Sequence, residues 1–241
     1  MAGLLTLILS AFWLCSTKPS SMHSALTKPT SMKTGQVDSE GSLATASLNS
    51  RVGIRAFGCG MIPRLGAGVT IADHLVLTDA HVVAGSTSLE LLIDGRTTEG
   101  TVVHLDPRLD LALIQVTADF VWPENRNLTF GSATKGDSGW VTLLRNDALK
   151  PTRVRVIRPV NISTEDIYVS GRVTRLGYEI EAATRPGDSG AAVTVGGKVI
   201  GLLWSRSRLS DNRAWVTDTT TLAQMSKNPK GWVVPTDTRC R

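Results

Sequence analysis

From Arg51 to Thr217 the chain is a succession of short apolar or alternating runs, punctuated by Gly, Asp, Asn and Pro, and this rhythm restricts the fold more than any other feature. The runs are Val52–Phe57, Gly68–Ile71, Leu75–Thr78, Leu89–Ile93, Thr101–His104, Leu111–Val116, Trp140–Leu144, Arg153–Val160, Ile167–Val169, Tyr178–Ala182, Ala191–Val195, Val199–Trp204 and Ala214–Thr217. Each has the length of a strand and most are rich in β-branched residues. Asp94-Gly95 and Gly196-Gly197 sit where two-residue hairpin turns belong, because a type I′ turn needs positive φ at both central positions. No stretch sustains the 3.6-residue period of a helix, and the one helix-like segment is short, at about Thr220–Ser226. The pattern predicts an all-β barrel or sandwich pair. Composition agrees: glycines number 22 and aromatic residues are only 5% of the chain.

The first fifty residues read differently. Leu4–Leu14 is an apolar run too short for a comfortable membrane span and suited to a signal-peptide core, although no basic n-region precedes it. Cys15 raises lipidation, against which stand Phe12 and Leu14 where a lipobox would want Leu and a small residue. A cleaved signal, a lipid anchor and an uncleaved tether all place the rest of the chain outside the cytoplasm, as a secreted, periplasmic or envelope-associated protein. Residues 16–50 are dominated by Ser, Thr, Lys and Pro, and TKPSSM recurs as TKPTSM; such a segment buries too little apolar surface to order itself and reads as a linker. The expected organisation is therefore a targeting or anchoring segment over 1–15, a linker over 16–50 and one globular domain over 51–241.

Cys59 and Cys240 bracket that domain, and an isolated pair of this kind suggests one disulfide in an oxidising compartment. A loop so long contributes about 5 kcal/mol on the chain-entropy model. The formal charge of +5 comes from scattered residues, with no basic block or stripe interleaved with aromatics, so nucleic acid is not an expected partner. No Cys/His cluster has metal-ligand spacing, and neither metal nor cofactor is expected.

Three segments carry chemistry: Leu77–Val83 (LTDAHVV), Leu109–Ile114 (LDLALI) and Arg185–Gly190 (RPGDSG). A serine hydroxyl is a poor nucleophile at neutral pH. It needs a histidine to take its proton and a buried carboxylate to fix the imidazole tautomer and stabilise the imidazolium. Glycines beside the serine let the backbone aim N–H groups at a developing oxyanion, each donor being worth about 3–4 kcal/mol in the transition state.

GAGVTIADHLVLTDAHVV, DPRLDLALIQV and RPGDSGAAVTVGGKVIGLLW resemble the three active-site blocks of trypsin-like serine proteases, most closely the bacterial secreted and periplasmic branch that includes HtrA-like enzymes. The resemblance covers about Val52 to Thr219, and no PDZ-like segment follows it. It implies two six-stranded antiparallel β-barrels of chymotrypsin type with the triad between them, and hydrolysis of peptide bonds in a protein or peptide substrate. On this resemblance His81 is general base and then acid, Asp110 orients it, Ser189 is the nucleophile, and the amides of Gly187 and Ser189 form the oxyanion hole. Ala183 falls at the base of the specificity pocket, and Leu203, Trp204 and Ser205 form a wall that pairs with the substrate backbone. No acidic residue stands at Ala183, so a small or medium apolar residue before the cut is expected rather than Lys or Arg.

Several residues imitate these roles. A second GDSG ends at Gly139, but Ser138 follows Asp110 too closely for a second barrel to be complete before the nucleophile, and Gly136–Gly139 reads as a turn. His74 and His104 are alternative bases, and Asp79 and Asp106 alternative orienting acids; Asp106 precedes Pro107, a turn signature. In the resembled family the aspartate matching Asp188 pairs either with a new N-terminus, here Val52 after cleavage at Arg51, or with an internal arginine. The internal arginine is the favoured expectation, without a residue to name. Two other functions compete. A catalytically silent peptide-binding module would keep the fold but commonly lacks a triad member. An α/β-hydrolase esterase needs a histidine after its serine, and none follows Ser189.

Overall fold

The structure is a computed structural model that describes residues 51–122, 128–145, 148–220 and 238–240. The expected N-terminal signal or anchor and the linker lie outside the described residues, as does the expected helix near 220–226 beyond Thr220. The described residues form twelve strands and, after β3, one helical turn: β1 (Arg51–Phe57), β2 (Arg64–Ala72), β3 (Leu75–Thr78), α1 (Ala80–Val83), β4 (Ser88–Ile93), β5 (Arg96–Asp106), β6 (Leu111–Val116), β7 (Ser138–Arg145), β8 (Ala148–Glu165), β9 (Arg172–Glu181), β10 (Ala192–Val195), β11 (Lys198–Arg206) and β12 (Arg213–Asp218). They close into two antiparallel six-stranded barrels, in the orders β1-β2-β3-β6-β5-β4 and β10-β11-β12-β9-β8-β7.

Alternation fills each barrel. In β4, Leu89, Leu91 and Ile93 point inward while Ser88, Glu90 and Leu92 face outward, as the two-residue period of a strand requires. The Asp94-Gly95 hairpin has φ of 48° and 76°, and Gly196-Gly197 has 57° and 75°, the mirror-image turns that match strand twist. A third apolar cluster joins the barrels: Val69, Leu77, Leu111 and Leu113 from the first meet Ala192, Val199 and Leu202 from the second. The strands in this interface, β2, β3, β6, β10 and β11, are those whose ends carry the chemistry.

One expected strand is absent. Ile167–Val169 forms a turn, in which the Asp166 carboxylate accepts the N–H groups of Tyr168 and Ser170, both at 2.9 Å, and Val169 adopts φ of 59°. The aspartate's local hydrogen bonds outweigh the β-propensity of Ile, Tyr and Val. Ile167 is nonetheless buried, packed into the core of the first barrel. The disulfide between Cys59 and Cys240 is present, with Cα atoms 5.5 Å apart.

Candidate active site

β3 ends at Thr78, and the chain turns through Asp79 into α1, so His81 stands on a helical turn. Asp110 immediately precedes β6 with φ of 59°, a left-handed conformation that aspartate tolerates better than most residues and that costs energy where function requires it. The two segments are tied together: the Asp110 carbonyl accepts the Ala80 N–H at 3.1 Å, Oδ1 accepts the His81 amide at 2.8 Å, and Oδ2 faces His81 Nδ1 at 2.9 Å.

Ser189 is held between the barrels. Its carbonyl accepts the amide of Ala67 on β2 at 2.7 Å, and the next amide, of Gly190, donates to Leu203 on β11 at 2.8 Å. A Cβ at residue 190 would lie 2.0 Å from the Ala67 carbonyl oxygen, so only glycine fits there. Ser189 Oγ lies 3.5 Å from the Trp204 carbonyl, and His81 and Ser189 line one pocket of about 230 Å3. Gly187 has φ of 94°, and the amides of Gly187 and Ser189 have no acceptor among the described residues. The loop bearing them is fixed by Asp188, which is 4% exposed: Arg145 at the end of β7 donates to its two oxygens at 2.6 and 2.7 Å, and the Arg185 amide donates at 2.6 Å. Arg145 is thus the internal arginine. Arg51, opposite Val69 of β2, and Val52, paired with both β2 and β4, are buried, so the bond between them lies at the buried start of a barrel strand.

The Asp110 carboxylate has two further neighbours that sequence reasoning did not identify in this role. The Trp204 indole N–H donates to Oδ2 at 2.6 Å. Arg175, fully buried on β9, places Nη1 at 3.7 Å from Oδ2, stacks 5.2 Å from the Trp204 ring and donates from Nε to the Arg108 carbonyl at 2.9 Å. Burial alone would raise the Asp110 pKa; the charge and hydrogen bonds of His81, and then the charge of Arg175, outweigh it and hold the carboxyl below the ordinary range. Asp79 moves the other way. Its carboxyl is fully buried, and neither oxygen makes a hydrogen bond of normal geometry, the nearby Gly190 amide being bonded to Leu203. Burial pushes it well above the ordinary range, helped by the adjacent Asp110 charge and opposed by His81 and Arg175.

The remaining expected site residues divide. Trp204 and Ser205 line the pocket, where β11 runs on past the end of β10 and leaves an edge. Leu203 also borders it, but its own N–H and C=O are engaged by Ala191 and Gly190, so it is not a residue on which a substrate strand could pair. Ala183 is a correction: it is exposed and does not line the pocket, because Ala182 and Thr184 on either side turn inward, and Thr184 takes its place. Three of the alternatives to the triad sit in other local structure. Asp106 accepts the amides of Arg108 and Leu109, and His74 Nδ1 lies 3.0 Å from the Thr117 carbonyl. Asp137 Oδ2 accepts the N–H and hydroxyl of Thr134, closing the turn before the exposed Ser138. No group of side chains among the described residues could hold a metal ion.

The family model described as a trypsin-like peptidase domain matches residues 66–202, more than half the chain, and the chain belongs to that family. Among curated relatives, the Do-like serine protease HtrA of Lactococcus lactis is 29% identical over 69% of this chain, and the serine protease Rv3671c of Mycobacterium tuberculosis is 32% identical over 58% of it. The alignments cover 41% and 35% of those relatives, so the chain spans well under half of their length. The crystal structure of the active form of the Rv3671c protease superposes with a TM-score of 0.72 at 27% identity, covering 88% of this chain and 97% of that one. The HtrA-type protease AlgW, at 19% identity and a TM-score of 0.67, shares the fold.

Proposed function

We propose that the chain is a serine endopeptidase with His81, Asp110 and Ser189 as its triad. The observation that carries this reading is one pocket shared by a serine hydroxyl and a histidine held at Nδ1 by a buried carboxylate, beside a loop whose Gly187 and Ser189 amides have no acceptor among the described residues. His81 takes the Ser189 proton as Oγ attacks the scissile carbonyl, and the charge on the resulting oxyanion is met by the Gly187 and Ser189 amides. The imidazolium, stabilised by Asp110, then protonates the departing amine. Water hydrolyses the acyl-enzyme by the same steps in reverse roles, and no cofactor is required.

The residue before the cut occupies the pocket bounded by Thr184, Pro186 and Ser205, whose small volume suits a small or medium apolar side chain. The pocket's one carboxylate, Asp188, is taken by Arg145 and offers nothing to a lysine or arginine of the substrate. The preceding substrate backbone adds to the edge of β11 at Trp204–Arg206. The disulfide supports action outside the cytoplasm. The test is hydrolysis of an unfolded protein substrate, with new N-termini read by mass spectrometry. Cleavage by the wild type and none by Ser189→Ala is the expected result; binding without cleavage by both proteins would favour the silent peptide-binding module.

A further inference from the structure

The catalytic pocket opens into a larger groove of about 890 Å3, with Trp204, Ser205 and Arg206 common to both. The groove lies between β8, over Arg158–Thr164, and the residues that follow β11, with Trp204, Trp215 and Leu209 as apolar walls. Its charge is one-sided. Among the described residues no Asp or Glu lines it, and the one carboxylate of the adjoining pocket is Asp188, buried and bound by Arg145. Arginine is abundant by contrast. Arg158 is committed to Glu179 at 2.7 Å. Arg206 reaches only Asp211, at 3.9 Å, and that aspartate is fully exposed, so the pair is weak and easily exchanged. Arg185 at the pocket and Arg208 on the groove are exposed and make no ion pair among the described residues.

Three guanidinium groups therefore border a cleft with no free carboxylate, along the edge on which a substrate would lie. Apolar walls concentrate such a field, and guanidinium presents the forked donors that carboxylates accept in pairs. We infer that the protein selects substrates carrying Asp or Glu in the residues just before the cut, upstream of the small residue that enters the pocket. This rests on the protease reading above. It assigns the groove to an acidic peptide segment.

The test uses internally quenched peptides sharing one cleavage site, with the upstream residues set as Asp/Glu, as Asn/Gln or as Lys. The full chain is assayed as wild type and as an Arg206→Glu, Arg208→Glu double variant; both positions are exposed, and labelling by a fluorophosphonate probe checks that the variant retains an assembled site. The expected result is a preference in kcat/KM of about ten-fold or more for the acidic set over the amide set, shrinking as salt rises and lost or reversed in the double variant. Equal rates on the acidic and amide sets by an enzyme that cleaves both would overturn the inference, as would a preference that survives the charge reversal. Failure to label or cleave anything would count against the protease reading instead.

Discussion

The indole N–H of Trp204 donates to the same Asp110 oxygen that faces His81 Nδ1, at 2.6 and 2.9 Å respectively. The guanidinium of Arg175 lies 3.7 Å from that same oxygen. A hydrogen bond to a buried charge contributes about 1.5–3 kcal/mol. Trp204→Phe is expected to lower kcat roughly ten-fold or more while the proton-transfer defect, not weakened binding, dominates the loss; kcat and KM measured on one peptide separate the two.

Arg175 acts through charge. Its cation opposes protonation of both Asp110 and His81, so its neutral replacement raises the pH at which His81 loses its proton. Arg175→Gln should move the acid limb of kcat/KM upward by about half a pH unit or more, whereas Arg175→Lys, which keeps the cation, should move it less. Coincident limbs in the two variants would contradict this role.

The pairing of Arg145 with Asp188 makes a different prediction. Removing one partner of a buried pair leaves the other uncompensated, at about 3–5 kcal/mol. With the Arg185 amide as its remaining partner among the described residues, Asp188 should no longer hold the loop, so Arg145→Met should release Gly187 and Ser189 and reduce acylation about a hundred-fold or more. Arg51→Gln, which blocks cleavage before Val52, should label with a fluorophosphonate at the wild-type rate. The opposite pattern would restore a cleavage-activated N-terminus.

Much of this was legible in the sequence because it depends on local chemistry. Turn residues at Asp94-Gly95 and Gly196-Gly197 mark hairpins, alternation marks β4, and a nearly continuous apolar run marks β6. The three blocks place His81, Asp110 and Ser189 in the proper order. What stayed hidden depends on contacts distant in sequence. Asp188 signalled a need for a cation, but Arg145 lies 43 residues away, and the only trace was a cation closing the run WVTLLR. Nothing in the sequence distinguishes Arg175 from the exposed arginines around it. Ile167–Val169 looked like a strand because β-propensity is visible and the carboxylate of Asp166 folding onto the next turn is not. Ala183 was displaced because a one-residue shift at the end of β9 exchanges inside for outside.

Asp79 links the site to stability. Its carboxyl is held well above the ordinary range in the fold, while in the unfolded chain it titrates near about 3.9. Between those values the folded protein binds more protons than the unfolded one, so this residue lowers stability as pH rises through the window. Asp79→Asn removes the titration. The stability of the variant relative to the wild type should therefore increase from pH 4 upward in thermal or urea unfolding, and a difference independent of pH would show that Asp79 ionises freely.

The disulfide ties the segment after β1 to residue 240, against Gly85. Cys240→Ser is expected to cost about 2–5 kcal/mol, read as a lower urea midpoint, with the m-value altered because the unfolded chain is released.

The most direct measurement is labelling with a serine-directed fluorophosphonate probe on the wild type, Ser189→Ala and Ser138→Ala. Labelling of the wild type and of Ser138→Ala, and none of Ser189→Ala, is the predicted result, since Ser189 shares a pocket with His81 and the exposed Ser138 does not line it. A wild type that does not label, or a Ser189→Ala variant that does, would contradict the assignment of the nucleophile and the catalytic reading with it.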